Sequence, residues 1–386
     1  MALFIAALSG ALFSAALPPL GLWILAVFLL PLIVLVARAR RRRDAFGLGF
    51  FFALAFFGLH LLWLPLSFVA LFGEVAWIIY PPLIAALALM WGLVTLTSRW
   101  LGGYGTGTLF VLPAAWVFSE WLRSQGVFAF PWGFVGYVWV NTPLAQLADL
   151  AGVYGLSLLT LVVLSLFASL FVPKGAQGAY RLGTFEPASP GKALPVTLAL
   201  SLLVFGFAYS GYRLGEVLPE TSERALLVQG NTNPLYRVNG EEDDLLRHAR
   251  LTSSALASLA NGADLANGTS LPGLVIWPEG AVPWPDPRRG NFEEAQELLL
   301  AQLGAGARGL PVITGAGAYI DNRGYNSAFS VVGEQIVDRY DKTYLVPFGE
   351  FFPWQGPLHL AYEAVFRAFG LPFLDSRAAG EAVRPV

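Results

Sequence analysis

Long runs without a charged residue dominate the first 212 residues of the chain. Only five of the 26 acidic residues and ten of the 24 basic residues lie there. A helix needs roughly 20 mostly apolar residues to cross a bilayer, so several of these runs are long enough to be membrane spans. The sequence therefore predicts a multi-pass α-helical membrane domain over residues 1–212 and a water-exposed domain over residues 222–386.

About seven spans are predicted in the membrane domain. Met1–Ala37 contains no charged residue, but Pro18, Pro19 and Gly21 divide it into a hairpin of two spans. Met1–Leu17 lacks the basic segment that opens a signal peptide, which favours a span over a cleaved signal. The other five expected spans are the uncharged runs Ala45–Gly73, Val75–Ser98, Trp100–Ser119, Leu150–Pro173 and Ala193–Tyr212.

Basic residues between the spans set the predicted orientation. Five arginines lie within residues 38–43, between the second and third spans. Cytoplasmic loops of membrane proteins carry an excess of Lys and Arg, so this loop is expected inside. With alternating spans, Arg99, Lys174 and Lys192 also fall inside, which places the second domain outside the cytoplasm.

The segment Ser124–Ala148 is uncharged but does not resemble a span. It contains Trp132 and Tyr137, and aromatic residues of this kind favour the boundary between water and lipid. We therefore expect an outer loop that dips into this boundary, with Trp132, Tyr137 and Arg123 as candidate contacts to lipid or substrate. Arg123 also lies three residues from Glu120, so the two could form an ion pair on one helical face. Ion pair and lipid phosphate contact both stay open for Arg123.

After Arg224 the apolar runs shorten to the length of strands. Strands are predicted at Ala225–Val228, Leu274–Trp277, Pro311–Ile320, Asn326–Val332 and Gln335–Tyr340, and helices at Glu241–Leu259 and Phe292–Leu303. A turn at residues 321–324 would join the third strand to the fourth. Crossover helices followed by hairpins predict an α/β domain with a mixed sheet and helices on one face.

Glu279 and Lys342 follow two of these strands and are candidate catalytic residues. Active-site groups often lie at the carboxyl ends of strands. We expect partial desolvation of Glu279 by Trp277 and Trp284, which would suit a general base. On this feature alone, an ordinary loop glutamate remains the alternative. Lys342 is the one lysine in residues 213–386, against thirteen arginines, and Glu350 lies eight residues further on. A single lysine among arginines suggests a site that needs a compact ammonium group.

The composition excludes several kinds of chemistry within these residues. The 386 residues contain no cysteine, so they supply no disulfide, thiolate metal site or thiol nucleophile. No metal or cofactor is predicted. The formal net charge of −2 gives no reason to expect a nucleic-acid partner.

Short motifs in both predicted domains match one known family. In the second domain they are Val228-Gln229-Gly230-Asn231, Trp277-Pro278-Glu279, Thr314-Gly315, Tyr325-Asn326-Ser327-Ala328 and the stretch Lys342–Glu350. In the membrane domain they are Ala115-Trp116, Glu120 with Arg123, Phe130-Pro131-Trp132-Gly133, Gly136-Tyr137 and Gly152–Ser157. In these motifs and their order the chain resembles the apolipoprotein N-acyltransferases, the membrane-bound members of the nitrilase superfamily.

The resemblance implies a fold and a mechanism. The fold is a nitrilase-type αββα sandwich, of which residues 222–386 would form the N-terminal part. The site is a Glu–Lys–Cys triad in which Glu279 matches the general base, Lys342 the oxyanion-stabilising cation and Glu350 a supporting acid. Such enzymes move an acyl chain from a phospholipid onto the cysteine as a thioester. They then pass it to the α-amine of a diacylglyceryl-cysteine lipoprotein.

The same resemblance implies partners and a location. The partners are a phospholipid acyl donor and a diacylated lipoprotein acceptor, with neither metal nor cofactor. The expected location is the bacterial inner membrane, as a monomer with its catalytic domain on the periplasmic face.

The family's nucleophile is the main departure from the pattern. It follows the Glu350 motif in a Cys-Tyr-Glu context, which these residues do not contain. We expect that the sequence is truncated and that the rest of the sandwich and a final span follow; an inactive remnant is the alternative. The chain as printed is predicted to form no thioester. Family members also carry a tryptophan after the Val-Gln-Gly-Asn motif, where this chain has Tyr236 and Val238.

Three other functions are weighed against acyl transfer. A membrane-tethered amidase of the same superfamily would act on a small amide, and a non-catalytic remnant would bind lipoprotein or lipid. A transporter is disfavoured because no predicted span carries a charge at its midpoint. His60 comes nearest, and in an aromatic-rich span it is more often a packing residue.

Overall fold

Two compact units make up the chain, Met1–Val217 and Leu218–Val386. The predicted domains ended at residue 212 and began at residue 222, on either side of this division. The computed structural model describes residues 1–172, 193–217, 223–231, 241–261, 271–282, 292–321, 323–368, 370 and 376–384.

The first unit is helical in the part that the structure describes. Its helices are α1 (Ala2–Ser14), α2 (Leu29–Ala37), α3 (Arg42–His60), α4 (Trp63–Phe72), α5 (Val75–Gly102), α6 (Thr106–Arg123), α7 (Ala148–Ala168) and α8 (Ala193–Leu214). Short 3-10 helices lie at Trp23–Phe28, Gly126–Phe128, Val135–Trp139 and Pro143–Leu147. Every predicted span overlaps one of these helices.

Among the described helices, three are long and apolar enough to cross a membrane: α5, α7 with the short helix before it, and α8. The pair α3 and α4, bent by 42°, would make a fourth span if counted as one. The helices at residues 2–14 and 23–37 are apolar but shorter. The set agrees with a membrane protein, while seven crossings and their orientation stay predictions.

Buried aromatic rings form the centre of the helical unit. Trp91 of α5 and Trp116 of α6 are fully buried, with ring centroids 5.5 Å apart. Phe57 of α3 contacts Trp91 at 5.2 Å. Helices α3 and α5 also approach closely at Gly49, where a Cβ atom would collide with Thr95. This close approach lets the Thr95 hydroxyl donate to the carbonyl of Ala45 at 2.8 Å.

The segment between α6 and α7 packs into the helical unit. Phe134, Val135 and Val138 are buried there, and the place of this segment at the boundary between water and lipid stays a prediction. Its polar groups bind α7. The Gly136 amide donates to Ser157 Oγ at 2.8 Å, and the Trp139 indole donates to Thr160 Oγ1 at 2.7 Å.

The second unit contains a five-stranded sheet in the order β1–β2–β3–β4–β5. The strands are β1 (Ala225–Leu227), β2 (Leu274–Ile276), β3 (Val312–Ile320), β4 (Arg323–Val332) and β5 (Gln335–Asp341). The first three are parallel, and β3, β4 and β5 are antiparallel neighbours. The mixed sheet agrees with the prediction, although β4 begins at Arg323, inside the expected turn.

One face of the sheet carries the core of this unit. Helices α9 (Glu241–Asn261) and α10 (Phe292–Ala307) share a buried apolar cluster with residues of β2, β3 and β4, including Val275, Val312 and Phe329. Because side chains alternate along a strand, Gly315, Gly317, Asn326 and Ala328 lie on the opposite face. A further helix, α11 (Gln355–Ala368), was not predicted, and none of its residues is buried.

Candidate functional site

Glu279 lies in a turn that packs directly on β3. The Gly315 amide donates to the carbonyl of Pro278 at 3.3 Å, and the Val282 amide donates to that of Gly315 at 3.4 Å. A Cβ atom on Gly315 would be 2.5 Å from the Cα of Glu279, closer than real Cβ contacts come. Glycine at 315 therefore allows the turn to hold Glu279 above the open face of the sheet.

Lys342 follows β5 and is fixed to β4 through its backbone. Its amide donates to the carbonyl of Asn326 at 2.8 Å. Asn326 pairs with Gly317 across the ladder between β3 and β4, so its side chain lies on the same face as Gly315. Lys342, Asn326 and Glu279 thereby come from three neighbouring parts of the sheet.

The loop after Lys342 returns Glu350 to the lysine. The carbonyl of Val346 accepts hydrogen bonds from the amides of Gly349 and Glu350, at 3.2 and 2.9 Å. Phe348 has a φ of 62°, in the left-handed region, and its amide donates to the carbonyl of Phe351 at 2.7 Å. This tight turn explains how a residue eight positions along the chain can contact Lys342.

The three predicted site residues of the second unit form one cluster. Lys342 Nζ is 3.0 Å from Glu350 Oε2 and 3.7 Å from Glu279 Oε1. Between the two carboxylates, Asn326 Nδ2 donates to Glu350 Oε1 at 2.7 Å and also to Glu279 Oε1. An ammonium and an amide therefore bridge two carboxylates on an open sheet face.

The two carboxylates differ in burial and in bonding. The Glu350 side chain is 13% exposed, and its Oε2 also accepts the Val346 amide at 2.8 Å. Partial burial acts to raise the pKa of Glu350, but hydrogen bonds from Val346, Asn326 and Lys342 outweigh it, so the pKa lies below its ordinary value. Glu350 is accordingly a fixed, ionised group.

Glu279 is more accessible than predicted. Its side chain is 68% exposed, so the expected partial desolvation is wrong. Trp277 is buried in the core of the unit, where its indole donates to Thr252 Oγ1 at 2.9 Å. Trp284 lies outside the described residues. The physical reason is the turn that follows β2: Trp277 packs in the core of the unit, while the chain turns at Pro278 and Glu279 reaches the other face, beside Asn326.

A segment that the sequence analysis did not consider also touches the site. The amide of Arg377 donates to the carbonyl of Glu350 at 2.7 Å, and the amide of Gly380 donates to that of Lys342 at 2.9 Å. Both contacts use backbone atoms, and glycine at 380 permits the second, because a Cβ atom there would collide with the backbone of Asp341. The segment fixes the backbone of two site residues from outside the sheet.

Glu120 and Arg123 of α6 bind the backbone of the following segment. Arg123 Nη1 donates to the carbonyls of Phe130 and Trp132 at 2.9 and 2.5 Å. Glu120 Oε1 accepts the amide of Val135 at 2.8 Å. The two side chains form no direct ion pair among the described contacts. Arg123 is 6% exposed, and a contact of its guanidinium with a lipid phosphate stays a prediction.

Aromatic rings surround the Arg123 guanidinium. It lies 5.3 Å from the ring centroid of Phe57, 5.0 Å from that of Trp91 and 4.9 Å from that of Phe134. Such stacking stabilises a buried guanidinium. Trp132 and Tyr137 are half-buried beside this cluster, and a role for them in contacting lipid or substrate stays a prediction.

Asn326 is the site residue that sequence reasoning missed. It lies in one of the matching motifs, Tyr325-Asn326-Ser327-Ala328, but no role followed from the motif. Its signal would have been an amide side chain on the open face of β4, between Gly324 and Ala328 on the same face. In the part of the chain that the structure describes, no group of three or more His, Asp or Glu side chains could hold a metal ion.

Comparison with known proteins gives a consistent result. Residues 9–166 match the family model of the apolipoprotein N-acyltransferase N-terminal domain. The apolipoprotein N-acyltransferase of Allorhizobium ampelinum is 30% identical over 373 residues, covering 90% of this chain and 64% of the relative. The enzyme of Geobacter metallireducens is 31% identical, over 90% of this chain and 64% of the relative. The enzyme of Vibrio parahaemolyticus is 27% identical, over 98% of this chain and 70% of the relative. The chain thus spans roughly two thirds of the length of these relatives.

Proposed function

This chain belongs to the apolipoprotein N-acyltransferase family, and we propose that it serves the transfer of a fatty acyl chain from a phospholipid to a lipoprotein. The acceptor would be the N-terminal amine of a diacylglyceryl-cysteine lipoprotein. The observation that carries the proposal is the convergence of Glu279, Lys342 and Glu350 on one open sheet face. The relatives are apolipoprotein N-acyltransferases by name, which supports acyl transfer to a lipoprotein amine.

Lys342 suits the stabilisation of an oxyanion. Acyl transfer passes through a tetrahedral intermediate whose oxygen carries a negative charge, and a preorganised donor stabilises that charge. The ammonium has three donor hydrogens. Glu350 holds it in place, at 3.0 and 3.1 Å from its two carboxylate oxygens. A hydrogen directed away from Glu350 remains for the oxyanion, and the fixed, ionised Glu350 keeps the cation oriented.

Glu279 suits the general base. It is the more exposed carboxylate, and its contact with the Lys342 ammonium is the longer one, at 3.7 Å. In the proposed first step it takes the thiol proton while the sulfur attacks the phospholipid ester. The ester C–O bond then breaks, and Glu279 returns the proton to the departing lysophospholipid. In the second step the lipoprotein amine attacks the thioester and loses its proton to Glu279, which passes it to the thiolate.

The nucleophilic thiol is not among the 386 residues, which contain no cysteine. The proposal therefore assigns the base and the cation to this chain, and it predicts that these residues alone form no acyl-enzyme. No step requires a metal or cofactor. The apolar helices suit substrates that are themselves held in a membrane, and the proposed location is the periplasmic face of the bacterial inner membrane.

The decisive test is an N-acylation assay on membranes. The gene would be expressed with the DNA beyond codon 386 included and supplied with phospholipid and a diacylated lipopeptide, whose mass is then measured. We expect the mass of one further amide-linked acyl chain, and its loss in Glu279→Gln and Lys342→Ala. Hydrolysis of small amides with an unchanged lipopeptide would favour the tethered amidase instead.

A second assay addresses the 386-residue form. Phospholipid with a labelled acyl chain would be added, followed by hydroxylamine, which releases thioesters. We expect no hydroxylamine-sensitive label on the protein. Binding of the lipopeptide without any acylation by either form would favour the non-catalytic alternative, which the lack of cysteine in these residues supports.

A further inference from the structure

Asn326 is the one described residue that contacts all three members of the cluster. Its backbone carbonyl accepts the Lys342 amide at 2.8 Å. Its side-chain nitrogen donates one hydrogen to Glu350 Oε1 at 2.7 Å and the other to Glu279 Oε1. Neither the family motif nor the proposed mechanism assigns it a role, so these contacts need an explanation of their own.

The side chain of asparagine fits this place for a chemical reason. A primary amide nitrogen carries two hydrogens and can serve two carboxylates at once. A hydroxyl has a single hydrogen, and a carboxylate would add a third negative charge to the pair. The two acceptors also settle which way the amide points, because its oxygen would be repelled by both.

Glu279 depends on this amide for its position. Among the described residues, its side chain accepts one hydrogen bond, from Asn326, and its nearest cation is Lys342 at 3.7 Å. The side chain is 68% exposed, so water competes for it and packing does not fix it. Glu350, by contrast, also accepts the Val346 amide and the Lys342 ammonium.

Asn326 is itself held rigidly. It lies within β4, between β3 and β5, and the residue opposite it on β3 is Gly317, which has no side chain to crowd the amide. A hydrogen-bond donor on a central strand has a fixed position, so it can hold a carboxylate that packing does not fix.

We propose that Asn326 is the positioning residue that holds the Glu279 carboxylate beside the Lys342 ammonium. The consequence for catalysis rests on the proposed function: Asn326 would keep the base Glu279 and the cation Lys342 beside the same reacting centre. The physical claim concerns geometry, so it can be tested on the chain whether or not acyl transfer occurs.

The experiment uses the reactivity of Lys342 as its readout. The full chain has three lysines, so Lys174→Arg and Lys192→Arg leave Lys342 as the only one. The labelling rate of this lysine by a trace amine-reactive ester would be measured by peptide mapping. The rate would be measured in four proteins of this background: the unsubstituted chain, Glu279→Gln, Asn326→Ala, and the variant that carries both substitutions. The control variant Ser327→Ala removes a hydrogen bond to Asp341 from the neighbouring position.

With Asn326 present, Glu279→Gln should raise the labelling rate about threefold, because the carboxylate 3.7 Å from Lys342 Nζ no longer attracts and shields this nitrogen. In Asn326→Ala the same change should have almost no effect, since Glu279 is no longer held near Lys342. Ser327→Ala should preserve the threefold effect. The proposal would be overturned if Glu279→Gln raised the labelling rate equally with Asn326 present and in Asn326→Ala. It would also be overturned if Ser327→Ala abolished the effect of Glu279→Gln.

An activity readout separates this inference from the proposed function. In the form that transfers acyl chains, Asn326→Ala should lower kcat with little change in KM, because orientation is lost and not substrate binding. If the labelling pattern is as expected but no form transfers an acyl chain, the proposed function fails and the positioning role stands. If acyl transfer occurs and the labelling effect is independent of Asn326, the positioning role fails alone.

Discussion

Each unit of the chain brings glutamate and a basic residue together, but in opposite surroundings. In the helical unit, Glu120 and Arg123 are almost fully buried, and each is hydrogen-bonded to the backbone of the segment after α6. In the second unit, Glu279 and Lys342 contact one another and Asn326 on an open sheet face. Charged groups that bind the backbone hold a segment in place, whereas charged groups that bind each other beside solvent remain available to a substrate.

The cost of burying charge explains this difference. An ionised group in an apolar interior is unfavourable unless hydrogen bonds and an opposite charge compensate it. The carbonyls of Phe130 and Trp132 provide compensation for Arg123, and three aromatic rings add to it. Glu279 needs no such compensation because water reaches it.

The largest effect is expected at Arg123. Arg123→Ala leaves Glu120 buried without a nearby positive charge and frees two loop carbonyls, so unfolding should become about 3–5 kcal/mol easier. Thermal or denaturant unfolding in detergent, followed by tryptophan fluorescence, measures the change. Arg40→Ala, at an exposed position, is the matched control. Equal stability of the two variants would show that the α6 charges do not anchor the segment.

Lys342→Ala should instead affect the reaction and spare the fold. Loss of one oxyanion donor typically slows catalysis about 10²–10³-fold. The stability should change by less than about 1 kcal/mol, because the pairs of a partly exposed lysine contribute little. Initial rates of lipopeptide acylation and the midpoint of unfolding test both statements. The control Arg367→Ala removes a cation paired with Glu363 and should change neither the acylation rate nor the midpoint of unfolding. A large loss of stability in Lys342→Ala would make this cluster structural, like the one in α6.

Two glycines on β3 allow a matched comparison at the site. In Gly315→Ala the new methyl group would be 2.5 Å from the Cα of Glu279, so the turn must move, whereas at Gly317 it meets Arg377 at an ordinary 3.5 Å. A displacement of about 1 Å can cost up to roughly 10²-fold in rate. We expect Gly315→Ala to lower the acylation rate at least tenfold by this estimate, and Gly317→Ala to be nearly neutral. Similar rates would show that the turn at Glu279 is adaptable.

The five strands and the first two helices of the second unit were predictable because each has a local signal. A short apolar run indicated β3, and the composition singled out Lys342 among thirteen arginines. The convergence of Glu279 with Lys342 was implied by the family resemblance. The geometry behind it depends on strand register, which pairs Gly317 with Asn326 and is not a local property of either strand.

The failures of prediction share a cause in non-local contacts. The burial of part of segment 124–148 could not be inferred from its composition, because Ser157 and Thr160 on a later helix bind its polar groups. The exposure of Glu279 could not be inferred from Trp277, because the turn after β2 places the two side chains on opposite faces of the sheet. Helix α11 packs no buried residue and so left no core pattern for sequence reasoning to detect.

The smallest effect concerns the pH dependence of Glu350. Its pKa in the folded chain lies below its ordinary value of 4.5, chiefly because the hydrogen bonds from Val346, Asn326 and Lys342 outweigh the effect of burial. A lowered pKa means that the ionised carboxylate stabilises the fold above pH 4.5 and loses this contribution as the pH falls through the folded pKa. Glu350→Gln should therefore cost about 1 kcal/mol at pH 7. This difference from the unsubstituted chain should shrink in unfolding curves below pH 4.5. If the stability difference between Glu350→Gln and the unsubstituted chain is the same at every pH, then packing and not charge explains the contribution of Glu350.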